Sequence, residues 1–173
     1  MNGLPRVLIL GSPGSGKSTL ARSLSVRLDV PVIHLDVLWW EPRWVEAGSA
    51  RFQGRIATHL DQDGWIIDGN YTRHGFDARL DRADTVIWLD LPRWLCLCRV
   101  TVRAIQLWGK TRPDMGADCP EKLDLTFLQF VADWNRNNRP KLTALFAELA
   151  GKKSLHHVRS TQEASRLLRS VGS

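Results

Sequence analysis

The stretch RVLILGSPGSGKSTLARSLSVRL, residues 6–28, joins an apolar run to a glycine-rich turn and then to a segment with apolar residues at helical spacing. Arg6 to Leu10 reads as a short buried strand. Leu20, Ala21, Leu24 and Leu28 fall on one face of a helix running from Ser18 to Leu28. Between the two, Gly11, Ser12, Pro13, Gly14, Ser15, Gly16, Lys17 and Ser18 match the phosphate-binding pattern G-x-x-x-x-G-K-[ST] at every fixed position. Glycines at these places let the backbone curl until its N–H groups surround a phosphate, and the helix N-terminus adds partial positive charge. Lys17 has the length to reach the terminal phosphates of a nucleoside triphosphate. The Ser18 hydroxyl can ligate Mg²⁺, and Thr19 completes the binding stretch.

Outward from this stretch, short apolar runs alternate with helical patterns. Val32 to Leu35 reads as a strand ending at Asp36. A loop rich in tryptophan (Trp39, Trp40, Trp44, with Pro42) leads to a helix from Ser49 to Leu60. Gly64 to Asp68 is the next strand, closed by Gly69, and a helical stretch follows near Phe76 to Arg82. Thr85 to Leu89 is a fourth strand, ending at Asp90, and Pro92 suits the first turn of a helix reaching about Trp108. Gly109 to Pro120 is polar and rich in turn formers and is expected to be a short, mobile lid. Glu121 to Leu149 reads as helix interrupted before Pro140, Ser154 to Val158 as the last strand, and Thr161 to Leu168 as a closing helix. Nearly continuous apolar strands alternating with helices predict a three-layer α/β fold with a five-stranded parallel sheet, in one domain over residues 1–173. In such sheets ligands bind beyond the carboxyl ends of the strands.

The 173-residue length suits a single domain with a real core. Apolar runs of about five residues fall far short of the ~20 that span a bilayer, so a membrane protein is excluded. No secretory signal is visible, and the three cysteines lack metal-ligand spacing, which points to a reducing, cytoplasmic compartment. Cys96 and Cys98, in an apolar segment, read as buried small hydrophobes. The net charge of +6 comes with 18 Arg against 6 Lys. Arginine grips phosphate oxygens with a planar fork, so this balance fits a nucleotide or a nucleic acid equally well.

Asp36, Asp68 and Asp90 each end a strand on the side of the glycine-rich turn. A carboxylate there can hold metal-bound water, accept a proton from an attacking hydroxyl, or cap the next turn. Capping suits Asp90 best, because Leu91-Pro92 follows directly. No acidic residue lies between Leu91 and Pro113, yet Arg93, Arg99, Arg103, Lys110 and Arg112 do. Arg99 and Arg103, four apart, share a helix face that leads into the lid carrying Arg112. Cations delivered on a closing lid neutralise charge on a transferring phosphoryl group. Arg136 and Arg139 form a second basic cluster. The three tryptophans can stack on a base, enclose an acceptor, or close a small core. His34 reads as structural, and His156 and His157 have no partners at ligand spacing.

The segments IHLDVLWWEPRW (33–44), WIIDGNYTR (65–73), ADTVIWLDLPRWLCLCR (83–99) and RPDMGADCPEKLD (112–124), in this order after the phosphate loop, resemble the bacterial DNA topology modulation proteins (FlaR-related). Those are phosphate-loop proteins similar to adenylate kinase. The resemblance implies ATP and Mg²⁺ as ligands, a parallel core with a lid, and transfer of the ATP γ-phosphate to a small-molecule or nucleotide acceptor. It implies Lys17, Asp36, Arg103 and Arg112 as catalytic residues, with Arg99 beside the lid on the ATP side. Asp36 matches the place where shikimate-kinase-like enzymes contact the acceptor hydroxyl. Asp68-Gly69 matches the adenylate-kinase acceptor element, with Arg73 one residue later than in that pattern. Trp40, Tyr71 and Arg136 complete the expected acceptor side, in a monomer or homodimer. A nucleotide-dependent DNA-binding role, which the family name and the charge suggest, is the disfavoured alternative, since no helix-turn-helix or zinc module is evident.

Overall fold

The computed structural model describes residues 5–171, so the extreme ends of the chain lie outside the described residues. In chain order the elements are β1 (Arg6–Gly11), α1 (Lys17–Leu28), β2 (Val32–His34), α2 (Leu35–Trp39), β3 (Trp40–Glu41), a 3₁₀ turn (Pro42–Trp44), β4 (Val45–Glu46), α3 (Ser49–Leu60), β5 (Trp65–Asp68), α4 (Phe76–Arg82), β6 (Thr85–Leu89), α5 (Arg93–Gln106), α6 (Leu125–Leu149), β7 (Ser154–Val158) and α7 (Thr161–Ser170).

Five strands form one parallel sheet in the order β2-β5-β1-β6-β7. Alternate side chains of the central strand β1 point to opposite faces, as strand geometry requires. Leu8 and Leu10 enter a core with Ile67, Trp65, Trp88, Phe52 and Trp134. Val7 and Ile9 enter a second core with Leu20, Leu24, Ile87, Cys96 and Val100. Both faces are therefore covered, which is why these strands are apolar almost without interruption. The expected five-stranded parallel α/β architecture is the observed one.

Several local readings are corrected. β2 stops at His34, and Asp36 lies in the first turn of α2. Leu35 and Trp39, four residues apart, are both buried, and that spacing suits one helical turn better than a continued strand. The tryptophan loop is thus a short helix followed by the β3–β4 hairpin. Trp39 is a core residue, with its ring centroid 5.1 Å from Phe52 and 4.5 Å from His74. α5 ends at Gln106, and α6 begins at Leu125, where the Asp124 carboxylate accepts the Phe127 N–H at 3.1 Å. α6 runs through Pro140, which sits on its exposed side, where water can satisfy the carbonyl that proline leaves free. Cys96 is buried as expected, but Cys98, two positions on and so turned about 200° around α5, is exposed.

Candidate active site

The glycine-rich turn lies between β1 and α1, at the carboxyl edge of the sheet. Gly14 and Gly16 have φ of 78° and 98°, a region that side-chain-bearing residues rarely adopt. A Cβ on Gly14 would also lie 2.4 Å from the Cys96 carbonyl oxygen, so the loop is pressed against α5. The Lys17 ammonium donates to the Ser12 carbonyl at 3.1 Å and closes the turn. α1 begins with no side-chain cap and no acidic residue in its first turn. The Ser15 hydroxyl is buried without a partner. Uncapped helix amides and an unsatisfied buried hydroxyl at this one place fit a phosphate. Arg99 reaches the loop from α5 and donates to the Ser15 carbonyl at 3.3 Å.

A residue that sequence reasoning missed fixes this loop to the neighbouring strand. Asn70 accepts the Gly11 N–H at 3.0 Å and donates to the Gly11 carbonyl at 2.9 Å. Gly69, between it and Asp68, has φ 138°, and a Cβ there would press into Leu35 at 2.8 Å. The segment after β5 therefore packs tightly against both β1 and α2.

Two carboxylates flank Lys17. Asp68 is buried, with one oxygen 2.9 Å from His34 Nδ1 and the other without a partner. Asp36 accepts the Tyr71 hydroxyl at 2.6 Å. Burial pushes the Asp36 carboxyl above its ordinary range, and nearby Asp68 adds to this, while the Tyr71 hydrogen bond, Lys17 and Arg112 work against it. Burial likewise lowers the Lys17 ammonium, against the pull of Asp68 and Asp36. The Tyr71 hydroxyl is pushed well above its usual value by burial and by Asp36, so it stays a proton donor. Tyr71 has φ 38° and is held there by Arg79, fully buried, whose guanidinium donates to the carbonyls of Asn70, Tyr71 and His74 at 2.9–3.0 Å. Arg79, in a polar-looking helix, gave no signal in the sequence.

The lid is docked, which corrects the expectation of a mobile loop. Arg43 N–H donates to the Asp118 carbonyl at 2.8 Å, and the Trp44 indole donates to the Pro120 carbonyl at 3.2 Å. Cys119 meets the Glu41 carbonyl, and Asp114, Met115, Gly116 and Cys119 are buried. Arg112 pairs with Asp114 within the lid at 3.0 Å and with Glu121 just past it, and Glu121 also pairs with Arg103 of α5 at 3.2 Å. These acidic partners begin just past the acid-free stretch that ends at Pro113, a juxtaposition the sequence contained without revealing its geometry. Burial alone would raise the Asp114 carboxyl, but Arg112 and the Ser18 hydroxyl outweigh it and hold it below its ordinary value. A depressed carboxylate stabilises the fold above its unfolded pKa, and that contribution is lost as pH falls through the folded value. Asp114→Asn should therefore flatten the acid limb of Tm against pH below about pH 4, as scanning calorimetry can read.

Gly116 lies against the hairpin so closely that a Cβ would be 2.0 Å from the Trp40 carbonyl oxygen. Gly116→Ala should lift the lid from the hairpin at a cost of about 1–3 kcal/mol, seen as faster limited proteolysis between residues 109 and 120.

The remaining expected residues lie apart from this cluster. Arg73 is exposed and has no partner among the described residues. Arg136 is 77% exposed and pairs with Asp133 on its own helix. Asp90 does not cap α5; its carboxylate, 1% exposed, takes His157 Nε2 and the Arg139 guanidinium, each at about 2.9 Å, and joins β6 to β7 and α6. His157 stacks on Trp88 at 4.2 Å, a structural role.

Residues 7–67 match the ATPase family associated with various cellular activities (AAA), the segment holding the phosphate loop, Asp36 and the start of β5. Two adenylate kinases of Clostridium perfringens strains are each 27% identical, over 58% of this chain and 59% of theirs. The chain thus matches about three-fifths of the length of those enzymes. A shikimate kinase from Bacteroides thetaiotaomicron superposes with a TM-score of 0.58 at 16% identity, covering 96% of this chain and 95% of that one. A candidate kinase from Chloroflexus aurantiacus gives 0.57 at 17%, with 97% of each chain covered. The chain has the P-loop kinase fold. Within that fold the sheet order places the P-loop between β1 and α1, with β5 and β6 on either side of it. Among the described residues no helix is long and apolar enough to cross a membrane.

Proposed function

We propose that the protein is an ATP- and Mg²⁺-dependent phosphotransferase of the FlaR-related kind, one cytoplasmic domain that passes the γ-phosphoryl group to a small acceptor. The observation that carries this reading is the convergence on Lys17 of the uncapped α1 amides, the Asp36 and Asp68 carboxylates and Arg103. The amides from Gly14 to Ser18, with Lys17, would hold the donor phosphates, and Arg99 braces the loop against α5. Ser18 would hold Mg²⁺. Among the described residues no three His, Cys, Asp or Glu side chains are grouped to hold a metal, which suits an ion bound chiefly by phosphate oxygens and water. When bound, the ion supplies charge neutralisation to the phosphates.

Arg103 at the end of α5 and Arg112 in the lid are the cations nearest the donor side. They stand paired with Glu121 and Asp114, and a phosphoryl group would compete with these carboxylates for them. Phosphoryl transfer needs positioning and charge stabilisation more than covalent chemistry, and this constellation offers both. Titration with a non-hydrolysable ATP analogue and Mg²⁺ tests the donor site. Micromolar-range binding that Ser18→Ala weakens through the metal supports the reading, and no binding contradicts it.

The charge of +6 is what favours the DNA-directed alternative. Duplex binding through that charge would weaken steeply with salt. Against it, Arg79, Arg103, Arg112 and Arg139 are each engaged by carbonyls or carboxylates of the protein itself.

A further inference from the structure

α5 turns its charge inward and its apolar residues outward. Cys96, Val100 and Ala104, at four-residue spacing, are buried in the core shared with the sheet. Arg99 donates to the Ser15 carbonyl and Arg103 pairs with Glu121, so both guanidinium groups are engaged on the P-loop side. The opposite side carries Trp94, Cys98, Thr101, Val102 and Ile105, whose spacings of three and four place them on one stripe. Trp94 is 69% exposed, Val102 44% and Ile105 64%, and Trp108, just past the helix end, is 63% exposed. Cys98 is exposed too. Arg93, the residue before Trp94, is rotated about 100° from it, so the stripe itself holds no charged side chain.

α6 packs along α5, and its exposed Leu125 and Phe130 add to the apolar surface of the pair. Together these side chains leave on the order of 700 Å² of apolar surface in solvent. Monomeric proteins rarely leave that much uncovered in one region. It is close to the ~800 Å² that each partner covers in a standard interface. A helix that lies on a lipid surface flanks its apolar face with cations for the headgroups, whereas the two arginines in the body of α5 point the other way. Two copies related by a twofold axis bring each residue near the axis against itself. A charged stripe would repel its own kind there, and this one is neutral along its length. Antiparallel crossing at Thr101, the midpoint between Trp94 and Trp108, sets Trp94 of one copy against Ile105 and Trp108 of the other.

We propose that the outer face of α5 is the twofold interface of a homodimer, built on Trp94, Val102, Ile105 and Trp108. The inner face of the same helix braces Gly14 and Ser15. The interface therefore lies directly behind the support of the P-loop.

Light scattering at micromolar protein should give twice the chain mass of 19.6 kDa. Ile105→Arg and, separately, Trp94→Arg each put a charge on the stripe and should weaken association by about 100-fold or more. Both side chains are exposed, so each variant should show the single-chain mass with the circular dichroism spectrum of the wild type. In a Cys98→Ser background, Val102→Cys should be joined copy to copy by a short bis-maleimide, and Val26→Cys, on α1, should not. The remaining cysteines, Cys96 and Cys119, are buried and out of reach of the reagent. A single-chain mass for the wild type overturns the proposal. So does a dimer that survives both arginine variants, or one in which Val102→Cys gives no link, since either places the contact on another face. A monomer that sediments with vesicles of phosphatidylglycerol and phosphatidylcholine overturns it in favour of a lipid surface.

Discussion

Lys17→Ala should lower acceptor-stimulated turnover by about three orders of magnitude, the scale on which single transition-state charge contacts act. The ammonium sits where donor phosphates would lie, closes the P-loop onto the Ser12 carbonyl, and is the cation between Asp36 and Asp68. Its removal would take away a donor-phosphate contact and the positive charge that now acts on both carboxylates. Without Lys17 the Asp36 pKa should climb further, because Lys17 now helps to hold it down. The variant's residual activity should therefore show an acid limb at higher pH than the wild type. The fold should survive, since the hydrophobic cores on both faces of the sheet do not include this side chain. Circular dichroism melting within a few degrees of wild type, together with a coupled ADP assay, checks both halves. Normal turnover with normal melting would contradict the assignment.

Arg79→Met carries the second large effect, and here stability falls together with activity. The guanidinium is fully buried, and burial lowers its pKa to about 10. Three carbonyls of the loop after β5 depend on it. Methionine fills similar space but leaves those carbonyls without donors. At about 1 kcal/mol or more for each lost partner, the cost is about 3 kcal/mol, or about 6–12 °C in Tm for a chain of this size. The loop carries Asn70, which binds Gly11, and Tyr71, which binds Asp36. Its loosening should thus raise KM for the acceptor and lower kcat. Arg79→Lys tests whether charge or the fork matters, because an ammonium cannot span the same three oxygens from one planar group. Recovery of wild-type Tm in the lysine variant would contradict this account.

How much was legible in the sequence depended on whether a feature is local. The P-loop is a single unbroken motif with a strand before it and a helix after it, so its position and conformation could be read directly. The five sheet strands were legible because burial on both faces demands nearly continuous apolar residues. Asp36 was recognised, but its place in a helix was not, since a single turn over Leu35 and Trp39 looks like a strand end. The lid looked mobile because its polar residues resemble a solvated loop. What docks it is hydrogen bonding to a hairpin some 75 residues away in sequence, from the Arg43 backbone N–H to Asp118 and from the Trp44 indole to Pro120. Long-range contacts of that kind leave no periodic trace. The same holds for Asp90, whose partners Arg139 and His157 come from distant elements.

The central claim is transfer of a phosphoryl group from ATP, and the most direct measurement follows the label from [γ-³²P]ATP after incubation with Mg²⁺ and a pool of nucleoside monophosphates and small hydroxylated metabolites. The account predicts radioactivity in a phosphorylated acceptor that wild-type protein forms and Lys17→Ala does not. Label appearing only as inorganic phosphate, or remaining in ATP with every acceptor, would contradict it.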